Sequence, residues 1–188
     1  MPNRLPRFED GTDDETLAQQ ASCDPDAFSL LYHRHLPRVY NYLLAHVGNV
    51  QDAQDLTAQT FMAVVERLPA YRSQNQFVGW LMSIARHKLV DHFRRHHDHV
   101  PFDVLPPHSL DTPPPDEAVE HQLQLEAVAA ALQTLTPDRA EALTLNLFAG
   151  LSAAETGQIM HKSEDAVRML VHRALRDLRE RLAYEVKP

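Results

Sequence analysis

The sequence predicts an all-α fold: two small helical domains joined by a Pro-rich linker, the C-terminal one a helix-turn-helix. Three observations carry that reading. Apolar residues recur at helical spacing through two long blocks, with few alternating runs of the kind a strand needs. Six prolines fall within residues 100–116, VPFDVLPPHSLDTPPPD, where neither a helix nor a central strand can persist. Capping residues stand where each apolar run begins. The 188 residues then divide into an acidic, disordered tail over 1–23, a helical domain over 24–99, the linker over 100–119, a second helical domain over 120–183 and a short tail over 184–188.

Within the tail, only Glu15 to Gln20 suggests a short helix, and order is expected from Asp24. Asp24-Pro25 is a strong helix start, with Asp as N-cap and Pro in the first turn. Phe28, Leu31, Tyr32, Leu36, Val39, Tyr42 and Leu43 follow at helical spacing, with a kink expected at Pro37. Gly48-Asn49 ends this helix and caps the next, which carries Leu56, Phe61, Val64, Val65 and Leu68 and stops at Pro69. The polar loop YRSQNQ leads to a third helix, with Phe77, Trp80, Leu81, Ile84, Ala85 and Leu89 on its apolar side and a basic end.

Past the linker a helix begins near Glu117. Thr136-Pro137 starts another, carrying Leu143, Leu145, Leu147 and Phe148 and ended by Gly150. Ser152 with Glu155 forms a capping box, and Ser163 caps the last helix. A short helix over Ala153 to Met160, a turn at His161-Lys162 and a longer helix from Glu164 make the helix-turn-helix. Val167, Leu170, Val171, Ala174, Leu175, Leu178 and Leu182 form its inward stripe, leaving Arg168, Met169, His172, Arg173 and Arg176 outward. Such a helix fits a DNA major groove, where Arg reads guanine edges and other basic groups hold phosphates. The same pattern equally fits the solvated face of a core helix.

Charge is uneven along the chain. The formal net charge is -8, which argues against phosphate binding by the chain as a whole. The excess of acid lies in residues 1–23 and 101–130, however, and the two helical blocks are close to neutral. Any nucleic-acid surface must be local.

In the first block, FVGWLMSIARHKLVDHFRR sets Phe77 and Trp80 beside Arg86, Lys88, Arg94 and Arg95. Interleaved rings and cations suit single-stranded nucleic acid, since bases stack on rings while cations follow the backbone. Core packing is the competing use of both rings. Asp52 and Asp55 fall near the start of NVQDAQDLTAQTFMAVVERL, where they serve either the helix dipole or a basic partner protein.

Together these segments resemble the extracytoplasmic-function sigma factors of the bacterial sigma-70 family. DAFSLLYHRHLPRVYNYL, NVQDAQDLTAQTFMAVVERL and FVGWLMSIARHKLVDHFRR are similar to successive parts of region two. LTPDRAEALTLNLFAGLSAAETGQIMHKSEDAVRMLVHRALRDLRERL is similar to region four. The resemblance implies a cytoplasmic protein that binds core RNA polymerase, recognises minus-ten and minus-thirty-five promoter elements, promotes initiation and pairs with an anti-sigma factor. It implies docking on polymerase through Asp52, Asp55, Leu56 and Phe61. Minus-ten recognition and melting would fall to Tyr71, Asn75, Phe77, Trp80, Arg86, His87, Lys88, Asp91, Arg94 and Arg95, and minus-thirty-five contact to Lys162, Ser163, Arg168, Met169, His172, Arg173 and Arg176.

The sequence departs from the family pattern at His87, often Asn, at Gln54 and Gln59, often Glu, at His161, often Gly, and at Leu170, often Arg. Opening several base steps at about 1.4 kcal/mol each costs on the order of 5–10 kcal/mol. Two or three rings returning about 1–3 kcal/mol per base do not cover that, so core polymerase must contribute. The acidic linker suits either a nucleic-acid channel of the polymerase or a plain spacer.

The rival readings are a stand-alone helix-turn-helix regulator and a metal-dependent hydrolase. The second needs convergent ligands, and His92, His96 and His99 have only Asp98 as a nearby carboxylate, so neither a metal nor another cofactor is expected. The one cysteine, Cys23, rules out an internal disulfide. No P-loop or catalytic triad pattern occurs, so no enzyme is expected, and no apolar run reaches membrane-spanning length.

Overall fold

The computed structural model describes residues 11–72, 76–97 and 130–185, with the backbone alone at 96–97 and 182–185. Seven α-helices can be delimited among the described residues, in order α1 (Asp14–Ala21), α2 (Pro25–Val47), α3 (Val50–Arg67), α4 (Phe77–His97), α5 (Pro137–Leu147), α6 (Ala153–Met160) and α7 (Glu164–Glu185). A 3-10 turn, Leu68–Ala70, extends α3, residues 130–133 are helical, and no strand occurs among the described residues. The linker over 100–119, with its channel reading, and the tail over 186–188 lie outside them.

Local chemistry sets the boundaries. The Asp24 carboxylate accepts from the Asp26 N–H, and Pro25 occupies the first turn of α2, where its missing donor costs nothing. Gly48 closes α2 in the left-handed region, φ 74°, and the Asn49 side chain caps α3 by accepting from the Asp52 N–H. Pro37 is accommodated inside α2, which runs on to Val47. Thr136 precedes α5 with Pro137 in its first turn but makes no side-chain cap bond.

Order begins earlier than Asp24. Asp13 caps α1 by accepting from the Thr16 N–H at 3.0 Å and the Thr16 hydroxyl at 2.7 Å. Eight residues are too few to hold a helix in water, so α1 stands on tertiary contact. Leu17 and Ala18 are buried against the following helices. A fully buried Leu contributes about 1.5–3 kcal/mol, and a two-residue apolar stripe in an acidic segment gives little periodicity to read.

The principal core joins Leu31, Val39, Tyr42 and Leu43 of α2, Leu56, Phe61 and Val64 of α3, and Phe77, Leu81, Met82 and Ile84 of α4. It continues into the second half through Ala142, Leu145, Met160 and Val167. A smaller cluster places Ala45 of α2 among Leu132, Leu135, Ala140, Leu143 and Ala174. The two helical halves therefore share apolar surface.

Three residues from the expected apolar stripes lie outside and a fourth lies only partly inside. Val65 is 52% exposed and Leu147 is 62% exposed. Leu175 is also exposed, while Leu170 is half-buried. Each sits at the margin of its stripe, where a rotation of the helix by less than one residue step decides between core and water.

Candidate nucleic-acid interface

Three surfaces gather the residues singled out by sequence. The first surrounds the start of α4. Tyr71 packs on Trp80 with ring centroids 4.6 Å apart, and Phe77 lies 5.7 Å from Trp80 and 5.8 Å from Tyr71. Phe77 is only 3% exposed, so it is a core residue and not a surface on which a base can stack. Tyr71 and Trp80 remain half-buried and line a cleft of about 530 Å³ between α4 and α6, together with Arg72, Arg86 and His87. From the other side Glu155, Gln158 and His161 complete the wall. Asn75 lies outside the described residues.

Arg86 is already engaged. Its Nε donates to Glu141 Oε1 of α5 at 2.5 Å and its Nη2 to Oε2 at 3.4 Å. The hydrogen bond to Glu141 raises the guanidinium's pKa further, so the cation is permanent. Beside it, His46 Nε2 lies 2.9 Å from the Thr144 hydroxyl, and burial lowers the imidazole to a pKa of about 4. The neutral ring thus bridges α2 and α5. Farther along α4, His87 is exposed, Lys88 and Asp91 are half-buried, and Arg94 and Arg95 are exposed. Arg94 pairs with Asp91 at 3.1 Å. His92 approaches Asp52 at 3.8 Å, His96 has no described side chain, and His99 lies outside the described residues. No group of three metal-ligating side chains gathers among the described residues.

The second surface is the helix-turn-helix. Ser152 and Glu155 form a reciprocal capping box on α6. The chain then turns at His161, which takes φ 55° without being glycine. Glycine does contribute to this turn, but from α6. A Cβ on Gly157 would meet the Lys162 carbonyl oxygen at 2.6 Å, so the bare Cα is what lets the turn fold back on the helix. The Lys162 N–H donates to the Gly157 carbonyl at 2.9 Å, and Ser163 Oγ caps α7 by accepting from the Ala166 N–H at 3.2 Å.

On α7, Met169, His172, Arg173 and Arg176 are exposed. Arg168 is exposed too, paired with Glu164, and Lys162 reaches Asp138 at 3.0 Å. Arg173 has no ion-pair partner among the described residues, whereas Arg176 lies 3.7 Å from Glu180.

The third surface is the outer side of α3. Asp55 is exposed and Asp52 half-buried. Leu56 and Phe61 are 1% and 6% exposed, so they hold the core and cannot touch a partner directly. Their places on the outside are taken by Met62 and Val65, 65% and 52% exposed. The same helical stripe was visible in sequence; its phase was not, because α3 carries apolar residues around more than half its circumference.

Comparison with known proteins follows this geometry. Residues 31–98 match the family model Sigma-70 region 2, and residues 125–178 match Sigma-70, region 4. The RNA polymerase sigma factor CarQ of Myxococcus xanthus is 35% identical over 162 residues, covering 84% of this chain and 90% of that protein. The ECF RNA polymerase sigma factor BldN of Streptomyces coelicolor is 33% identical over 168 residues, covering 87% of this chain. This chain spans only 63% of BldN's length. Among solved structures, CnrH in complex with the cytosolic domain of CnrY superposes with a TM-score of 0.71 at 24% identity, covering 91% of this chain and 97% of that one. The sigma factor RpoE from Bartonella quintana, solved with the anti-sigma factor NepR, gives 0.66 at 21% identity, covering 86% and 98%. Both likenesses speak to the fold.

Proposed function

The chain belongs to the extracytoplasmic-function group of the sigma-70 family, and on that premise we propose that it is a promoter-specificity subunit of RNA polymerase. It binds core polymerase, recognises minus-ten and minus-thirty-five elements and promotes initiation, in a recognition role rather than a catalytic one. The observation that carries the reading is the presence in one chain of both regions, each with an appropriate surface. The start of α4 offers two partly open rings in one cleft with Arg86, and Lys88, Arg94 and Arg95 follow farther along the helix. The α7 face offers Arg173 and Arg176 from a helix whose start is capped and whose entry turn is tightly closed.

The roles divide by chemistry. Arg173 and Arg176 suit base edges and phosphates in the major groove of the minus-thirty-five element, with Lys162, Ser163, Arg168, Met169 and His172 flanking. Trp80 and Tyr71 suit stacking with splayed bases of the minus-ten element, with Arg86, His87, Lys88, Asp91, Arg94 and Arg95 along the same helix. Asp52 and Asp55 with Met62 and Val65 suit docking on polymerase, an acidic and apolar patch in place of the buried Leu56 and Phe61. An anti-sigma partner belongs to this reading; the sigma factor RpoE is seen with the anti-sigma factor NepR. So does a cytoplasmic location with the polymerase; no helix among the described residues is long and apolar enough to cross a membrane. A stand-alone regulator would use α6 and α7 and leave the α3 and α4 surfaces without a role.

The test is transcription in vitro from matched genomic promoters by purified core polymerase, with and without the chain. Initiation that depends on the chain is the expected result. Unchanged initiation, together with tight promoter binding by the chain alone, would overturn it.

A further inference from the structure

One carboxylate from the N-terminal helix ties both ends of the connection between α3 and α4. The Tyr71 hydroxyl donates to Glu15 Oε1 and Oε2, each at 2.9 Å, and the Phe77 N–H donates to Glu15 Oε1 at 2.7 Å. Phe77 is the first residue of α4, so its N–H has no partner within the helix. Burying that donor without an acceptor would cost the helix its start, and Glu15 supplies the acceptor together with a negative charge at the positive end of the dipole.

The helix that carries Glu15 is itself held fast. Asp14, its neighbour, accepts from Arg34 Nη1 at 2.6 Å and lies 2.9 Å from His35 Nε2. Burial works against the Asp14 carboxylate, but hydrogen bonds to His35 and Arg34 outweigh it and hold its pKa at about 2. Leu17 is fully buried one turn later. Asp14 therefore anchors α1 on α2, while Glu15 reaches across to the aromatic cluster.

We propose that Glu15 is a positioning residue for minus-ten recognition, acting through Tyr71 and the start of α4. This rests on the promoter-recognition reading above. The Tyr71 ring lies against Trp80, and both line the cleft at the α4 face. A phenol held by two oxygens cannot swing, so the ring beneath Trp80 stays in one place and the pair presents a preformed stacking platform. Loss of the carboxylate releases both the ring and the first turn of α4, and the platform must then be ordered by the DNA at the cost of binding.

The experiment uses the full chain assembled with core polymerase. Its probe is a single-stranded oligonucleotide bearing the non-template minus-ten sequence of a promoter that the wild-type assembly transcribes, with single-base variants of it. Glu15→Ala is expected to lower affinity about tenfold and to flatten discrimination among the base variants. Glu15→Gln, which keeps an acceptor oxygen, should restore most of both. Tyr71→Phe, which keeps the ring, should lose affinity in the same direction, and combining it with Glu15→Ala should add little, because the two act through one contact.

Core-polymerase affinity and binding to a minus-thirty-five duplex should stay unchanged throughout. The inference is overturned if Glu15→Ala or Tyr71→Phe binds the oligonucleotide like the wild type, if their losses add, or if Glu15→Ala loses core and minus-thirty-five binding in equal measure. Should Glu15→Ala fail to fold, Tyr71→Phe and Glu15→Gln decide the matter alone. Failure of the wild-type assembly to initiate would instead bring down the underlying reading.

Discussion

The two basic helices α4 and α7 carry similar side chains and stand in opposite situations. On α4, Arg86 is part-buried and clasped by Glu141 from the other half of the molecule, and Trp80 faces a cleft walled by α6. On α7, Arg173 points to solvent without an ion-pair partner among the described residues. Binding of α7 in a major groove thus needs no rearrangement of the fold. On the proposed reading, a phosphate at Arg86 of α4 has to compete with Glu141. The difference shows that a basic stretch is a DNA surface only to the extent that the rest of the chain leaves it uncovered, since Glu141 offers Arg86 the same oxygen pair that a phosphate would.

The sharpest way to break this contrast is to truncate a ring assigned to the interior. Phe77→Ala should destabilise the protein by about 3–5 kcal/mol, read as a lowered denaturant midpoint, because it leaves a cavity beneath Tyr71 and Trp80. A change near zero would return Phe77 to the DNA-contacting set.

Next in size is an effect of acid on the seam between the halves. His46 has a folded pKa of about 4 against an ordinary value of 6.5. Between those values the unfolded chain binds a proton that the folded chain refuses, so stability falls as pH drops from 6.5 towards 4 and is unaffected above that window. The loss from pH 7 to pH 5 should be on the order of 2 kcal/mol, and His46→Gln should flatten the profile. Asp14 acts in the same sense but at lower pH, its contribution fading only as pH falls from 3.8 towards 2. Denaturation curves at half-unit pH steps separate the two.

Substitution on the open helix should spare stability and cost binding. Arg173→Ala should reduce minus-thirty-five duplex affinity about tenfold, within the range of about 1–3 kcal/mol for a base-reading Arg, with an unchanged melting temperature. The smallest effect lies in the turn before that helix. His161→Gly relieves a left-handed backbone at a non-glycine residue and should raise stability by about 0.5–1 kcal/mol, with DNA affinity unchanged.

Much of the helix order could be read from residues whose chemistry is local. Asp24-Pro25, Gly48-Asn49 and the Ser152–Glu155 box each act within four residues, so their meaning survives without knowledge of the fold. The misreadings have a different origin. The resemblance puts Leu56 and Phe61 on a docking surface and the apolar pattern puts Val65 inside, whereas Leu56 and Phe61 are buried and Val65 is exposed, because an apolar stripe does not announce its rotation about the helix axis. The glycine of the helix-turn-helix was sought within the turn and sits instead at Gly157, where the need is clearance from the Lys162 carbonyl rather than a positive φ. The short helix expected at Glu15 to Gln20 is present as α1, but its docking on the rest of the fold is not legible in sequence, because it comes from Leu17, Asp14 and Glu15 meeting residues farther along the chain.

By itself, the sequence determined most of the helices, their caps and the basic character of α4 and α7. All of these follow from interactions spanning one or two helical turns. Only the tertiary structure decided that Glu15 meets Tyr71 and Phe77, that His46 meets Thr144 and that Arg86 meets Glu141. Those partners lie 55 to 98 residues apart. No periodicity links such distant positions, and packing of the apolar faces is what brings them within hydrogen-bond reach.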